Sequence, residues 1–157
     1  LSIRVRAACL CIRDSKVVLM KKIIPTYFNF NNLTPPGGGV ELHETLESAC
    51  IREINEETGL IIRSPKMIGV VSYISHTNDS HAVTFFFMTT DVSGNLTTKE
   101  PEKHIPVWVE LSSIRSNEAV PEYYKKIIDK SIYDNDFFNA RFEWIKPDGK
   151  FIWSFEE

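Results

Sequence analysis

Gly38–Leu60 reads GGVELHETLESACIREINEETGL, and the fold is read outward from it. Glycines come first, then a helix start, and acids gather along the way: Glu41, Glu44, Glu53, Glu56 and Glu57. Glu53, Glu56 and Glu57 stand at i, i+3 and i+4, the spacing that sets side chains next to each other on a helix. Like charges held together cost free energy unless a cation lies among them. A helix is expected from about Glu44 to Thr58, with Gly59 as its C-terminal cap.

On a helical wheel, Leu46, Ala49, Cys50, Glu53 and Glu57 share one arc, flanked by Ile54 and Glu56. The acids therefore continue the apolar stripe instead of opposing it. A solvated face is the usual reading of a charged helix, but carboxylates on the core side need partners. Oxygen ligands with neither His nor Cys beside them suit Mg²⁺ or Mn²⁺ better than zinc. Arg52 is placed to orient one carboxylate by a bidentate contact. Gly37, Gly38 and Gly39 are expected to adopt backbone conformations barred to other residues and to let a ligand approach the main chain. Just ahead of a helix, such a run presents backbone groups to phosphate or metal.

The rest of the chain supplies strands. Residues 3–12, 16–22, 66–75, 82–91 and 104–110 read as strands, with a turn at Asp14-Ser15 and a hairpin turn over His76–Ser80. Phe85-Phe86-Phe87-Met88 has no polar face and predicts a strand covered on both sides. Residues 121–130 begin with Pro and show helical spacing. Phe142–Ile145 and Lys150–Phe155 flank Pro147-Asp148-Gly149, a hairpin signal. Phe142, Trp144, Phe151, Trp153 and Phe155 in that hairpin are expected to pack on the sheet, with a homodimer contact as the other reading. The loop 24–36 carries Tyr27, Phe28 and Phe30 and reads either as a recognition element or as a flap on the core.

The bulk numbers limit what this arrangement can be. The 157 residues are 43% apolar and 25% charged, which fits a single domain, 1–157, with a sizeable core. A net charge of −3 with no basic block argues against long nucleic acid, though not against a single nucleotide whose phosphates a metal neutralises. No apolar run approaches a membrane span, so no membrane partner is expected. Cys9, Cys11 and Cys50 form no C-x-x-C and read as buried reduced thiols, with a cytoplasmic setting as the default.

The segment resembles the Nudix box of the MutT/Nudix hydrolases, G-x5-E-x7-R-E-U-x-E-E-x-G-U, where U is a bulky aliphatic. Gly38, Glu44, Arg52, Glu53, Ile54, Glu56, Glu57, Gly59 and Leu60 satisfy every fixed position. Trp108-Val109-Glu110-Leu111 resembles the family's W-V-x-L strand end. The resemblance implies an α/β fold, an α/β/α sandwich around a mixed β-sheet. It implies Mg²⁺ or Mn²⁺ held by Glu53, Glu56 and Glu57 with the Gly37 carbonyl, and supported by Glu44 and Arg52. The implied reaction is hydrolysis of a diphosphate linkage in a nucleoside diphosphate derivative, a pyrophosphatase chemistry. Glu56 or Glu57 would take the proton, or a glutamate from a later loop, Glu100 or Glu102.

His43 stands where relatives commonly carry Gly. The subfamily marks outside the box are missing: Ser75 stands where ADP-ribose hydrolases usually have Pro, and no upstream coenzyme A motif is evident. A nucleoside triphosphate or other small nucleotide is then the default substrate by elimination. The competing reading is an inactive Nudix domain that senses a nucleotide or sugar nucleotide.

Overall fold

In the computed structural model, residues 2–146 and 148–156 are described. β1 (Arg4–Arg13) is the spine of the fold. It turns through Asp14 and Ser15, whose φ values of 53° and 60° make the two-residue left-handed turn that matches strand twist. β2 (Lys16–Lys22) returns beside it, and β3 (Leu33–Thr34) and β4 (Gly37–Gly39) follow the 24–32 loop. α1 (Leu46–Thr58) comes next, then β5 (Ile61–Arg63), β6 (Lys66–Ser75), β7 (Ser80–Thr89) and β8 (Asp91–Ser93). β9 (His104–Glu110), α2 (Glu122–Ile128), β10 (Phe138–Ile145) and β11 (Lys150–Phe155) complete the order.

The main sheet runs β11-β10-β6-β7-β1-β2-β3, with β4 on β1 and β9 on β2; β5 and β8 form a separate pair. β1 is parallel to β7 and β10 is parallel to β6, while the other neighbours are antiparallel, so the sheet is mixed. Side chains alternate along a strand, and β1 uses both faces. Ala7, Cys9 and Cys11 enter a core with Ala49, Cys50 and Ile54 of α1. Ala8 and Leu10 enter the opposite core with Ile127 and Ile128 of α2. Helices cover both faces, which is the α/β/α sandwich. Phe87 lies on the α1 side and Phe86 on the α2 side, as expected for a strand with no polar face. The three cysteines are free and buried; burial, then the neighbouring thiols of Cys11 and Cys50, holds the Cys9 thiol above its usual range.

Several expected boundaries move. α1 starts at Leu46 and not at Glu44, because Thr45 Oγ1 accepts the Ser48 N–H at 3.1 Å and caps the helix there. Gly59 ends it at φ 78°, its N–H returning to the Asn55 carbonyl. β7 ends at Thr89 and does not run on to residue 91. The Thr89 hydroxyl donates to the Arg63 carbonyl at 2.7 Å and accepts the Asp91 N–H, turning the chain into β8. β10 begins four residues earlier than expected, where Phe138 pairs in register with Gly69. The 121–130 helix is α only to Ile128; Asp129–Tyr133 widens into a π turn. The aromatic hairpin joins the sheet through β10, with Phe142 buried and Phe151 and Phe155 packed on the α2-side core. Pro147 of its turn signal lies outside the described residues. No described helix is long and apolar enough to cross a membrane.

Candidate active site

The glycine run is a strand and not a loop of unusual dihedrals. Gly37, Gly38 and Gly39 pair with Ala8, Ala7 and Arg6, and none has a positive φ. Glycine is required for space. A Cβ on Gly38 would lie 2.3 Å from the Glu53 carboxyl carbon, and one on Gly37 would lie 2.4 Å from the Ala7 carbonyl oxygen. The close approach predicted for a ligand is made by the chain's own carboxylate.

Because α1 starts at Leu46, Glu44 sits in the preceding turn and faces back toward Arg52. Arg52 is the hub of the box. Its Nε donates to Glu44 Oε2 at 2.6 Å and its Nη2 to Glu44 Oε1 at 2.8 Å, a bidentate pair. Nη2 also donates to the Gly39 carbonyl at 2.9 Å, tying helix to glycine strand. Nη1 donates to Glu53 at 2.8 Å and to Glu56 at 3.2 Å. Arg52 hydrogen bonds, then the Glu41 backbone N–H, hold the Glu44 carboxyl down at about 2. The bidentate carboxylate that Arg52 orients is thus Glu44.

The last turn of α1 splits the acids. The side chains of Glu53 and Glu57 are each 15% exposed, whereas Glu56 is 43% exposed. Glu57 turns away from Arg52 toward Lys22 and His104, with His104 Nε2 at 3.6 Å from its Oε2. Burial pushes the Glu57 carboxyl up to about 7, against the pull of Lys22; Glu53 pushes the same way, while the Gly37 backbone N–H and Arg6 oppose it. Two part-buried acids that repel each other form an oxygen donor pair that fits a hard divalent cation, although the expectation that no His stands beside them fails, since His104 lies against Glu57. Among the described residues, no three acidic, His or Cys groups converge as a ready metal cage. Arg52 occupies the position between Glu53 and Glu56, so the triad is not preformed.

A cavity of about 380 Å³ opens beside the box on the α2 side of the sheet. Glu57 is its single lining carboxylate among the described residues, and Gly37 lines it as well. Arg4, Arg6 and Lys22 bring positive charge, and Phe28, Tyr73 and Tyr124 bring aromatic surface. The 24–32 loop supplies part of its wall, with the Phe28 ring edge-on to Trp144 at 5.5 Å. Of the three loop aromatics only Phe28 reaches the cavity; it remains 72% exposed. Asn29 also lines it, and its side-chain oxygen is buried without a partner among the described residues.

Glu100 and Glu102 are exposed and line no part of the cavity; Glu100 pairs with Lys103 at 3.2 Å. His43 carries a φ of 71°, the left-handed turn that favours glycine. Arg4, Arg6, Lys22 and His104 were not singled out from sequence. The Arg-x-Arg alternation of β1, which puts two cations on the face that becomes core two residues later, is the signal that could have found the first two.

The profile of the NUDIX domain family matches residues 3–130. An ADP-ribose pyrophosphatase of Methanocaldococcus jannaschii is 34% identical over 91 residues, 58% of this chain and 53% of the relative. This chain therefore spans about half the length of that relative. An uncharacterized Nudix hydrolase of Bacillus subtilis, YvcI, is 30% identical over 116 residues, 72% of this chain and 70% of the relative. The crystal structure of a MutT protein from Bacillus halodurans shares the fold with a TM-score of 0.80 over 98% of each chain, at 20% identity.

Proposed function

The chain belongs to the NUDIX domain family, and from that premise we propose that it is a metal-dependent hydrolase. Its substrate is a nucleoside diphosphate derivative, a nucleoside triphosphate or another small nucleotide, cleaved at a diphosphate linkage. The observation that carries this reading is that Glu57 belongs both to the acidic box and to the wall of an otherwise cationic, aromatic cavity.

Glu53, Glu56 and Glu57, with the Gly37 carbonyl, would hold Mg²⁺ or Mn²⁺. That cation, when bound, neutralises phosphoryl oxygens and polarises the attacking water. Glu57 faces the cavity and is the carboxylate placed to take the water's proton. Glu44 positions Arg52, and Arg52 in turn fixes Glu53 and Glu56. Phe28 offers an aromatic surface to the base, and the Asn29 carboxamide a polar one. Glu102 is exposed and does not line the cavity, so the proton-accepting role is assigned to Glu57.

The test is a pyrophosphate- and phosphate-release screen with Mg²⁺ and with Mn²⁺ over canonical, oxidised and sugar-linked nucleotides. Glu56→Gln and Glu57→Gln should each cut turnover by roughly 10²–10⁴ with the fold intact by circular dichroism. Near wild-type rates for both would remove the box from the chemistry.

A further inference from the structure

Three cations on the cavity wall have no counterpart in the reading so far. Arg4 and Arg6 lie two apart on β1 and so point to the same face. Lys22 ends β2 beside them. Among the described residues none of the three takes part in an ion pair. Arg4 Nη2 lies over Gly39, 3.3 Å from where a Cβ would stand. Arg6 is close enough to Glu57 and Lys22 to act on both. Lys22 is part-buried, and Glu57 acts on it more strongly than Arg6 does. Arg6 and Lys22 are part-buried and Arg4 is exposed; like charges gathered in this way round a cavity are unfavourable until an anion joins them.

A diphosphate closed by an ester at each end carries two charges, and a divalent cation held by the box would meet them. The three wall cations then ask for further negative charge on the same ligand. A triphosphate supplies it in its terminal phosphate.

Resting on the hydrolase reading above, the geometry points to Arg4, Arg6 and Lys22 as a clamp for phosphates beyond the metal-held linkage. The clamp selects nucleotides that end in a free terminal phosphate over diphosphates esterified at both ends.

The experiment uses matched pairs on one base, adenosine triphosphate against ADP-ribose and guanosine triphosphate against GDP-mannose. Turnover is measured with Mg²⁺, and affinity by calorimetry in EDTA, which needs neither metal nor catalysis. In at least one base series the triphosphate should bind and react at least tenfold better. Arg4→Gln and Arg6→Gln should shrink that preference about tenfold, chiefly through KM and Kd, the size of a lost charge-assisted hydrogen bond. Arg4→Lys should keep most of it. Arg115→Gln, which removes the same charge away from the cavity, should leave it in place. Equal affinity within both pairs, equal losses in both arms, or the same effect from Arg115→Gln would overturn the clamp. A binding preference that Arg4→Gln abolishes, without turnover of any diphosphate, keeps the clamp and refutes the hydrolase; turnover without preference does the reverse.

Discussion

Gly38→Ala should damage the site and spare the fold. The added Cβ would stand 2.3 Å from both Cδ and Oε2 of Glu53. Comfortable contact needs about 3.5 Å, so the carboxylate must retreat by about 1 Å. Glu53 is a flexible, part-buried side chain, and it can do so. Its bond to Arg52, 2.8 Å, is then stretched or lost. A partly exposed pair of this kind is worth about 0.5–1 kcal/mol. Replacing glycine in an extended strand returns about 0.4–1 kcal/mol by restricting the unfolded chain. The net change in stability is therefore within about 1 kcal/mol, or about 4 °C in Tm for a chain of this size. A displacement of about 1 Å in the catalytic constellation costs about 10²-fold in rate. The assay pairs thermal unfolding with turnover, and Mn²⁺ binding by electron paramagnetic resonance reads the metal site directly. Gly37→Ala is the contrast: its Cβ would meet the Ala7 carbonyl oxygen at 2.4 Å and the Ala8 Cα at 2.7 Å, where only backbone can yield. It should lose about 2–3 kcal/mol of stability. The reasoning fails if Gly38→Ala turns over and binds Mn²⁺ within threefold of wild type, or if it unfolds as early as Gly37→Ala.

His43→Gly should stabilise the protein by about 0.5–1 kcal/mol, since relief of a left-handed residue, about 1–2 kcal/mol, exceeds the added chain entropy; urea unfolding reads it, and a loss would contradict the strain. Arg52→Met should lower the urea midpoint more than Arg52→Lys, which keeps the charge but cannot fork. Glu44 is depressed to about 2 from an ordinary 4.5, so its contribution is complete above about pH 4.5 and lost as pH falls through about 2. The gap between Arg52→Met and wild type should accordingly close over that window; a gap independent of pH would mean the pair adds nothing. Gly69→Ala, whose Cβ would lie 2.4 Å from the buried Phe138 ring, should cost about 1–3 kcal/mol in thermal unfolding.

What the sequence disclosed follows the range of each interaction. Strands β2, β6 and β9 have the bounds expected from alternation and turn residues, because both signals are local. The two-residue β3 and the three-residue β5 and β8 were not foreseen, since such short strands exist only by pairing with distant partners. β10 was foreseen at half its length for the same reason: Phe138–Arg141 is held by a parallel neighbour more than sixty positions away in the chain. In the box, the i, i+3, i+4 acids and Arg52 are legible because a helix turns spacing into proximity. The glycine run was misread, because the wheel cannot show that Glu53 fills the space a side chain on Gly38 would need.

The sequence alone determined the helix, its acidic stripe and the family to which the box points. All of these rest on neighbours within a few turns of chain. Tertiary structure alone decided that Arg52 is shared among Glu44, Glu53 and Glu56 while Glu57 turns to Lys22 and His104. It alone placed Arg4 and Arg6 beside Glu57 in one cavity. The physical reason is that β1, β2, β4 and α1 are brought together by sheet pairing and by burial on both faces, and charges from separate elements meet only after that packing has formed.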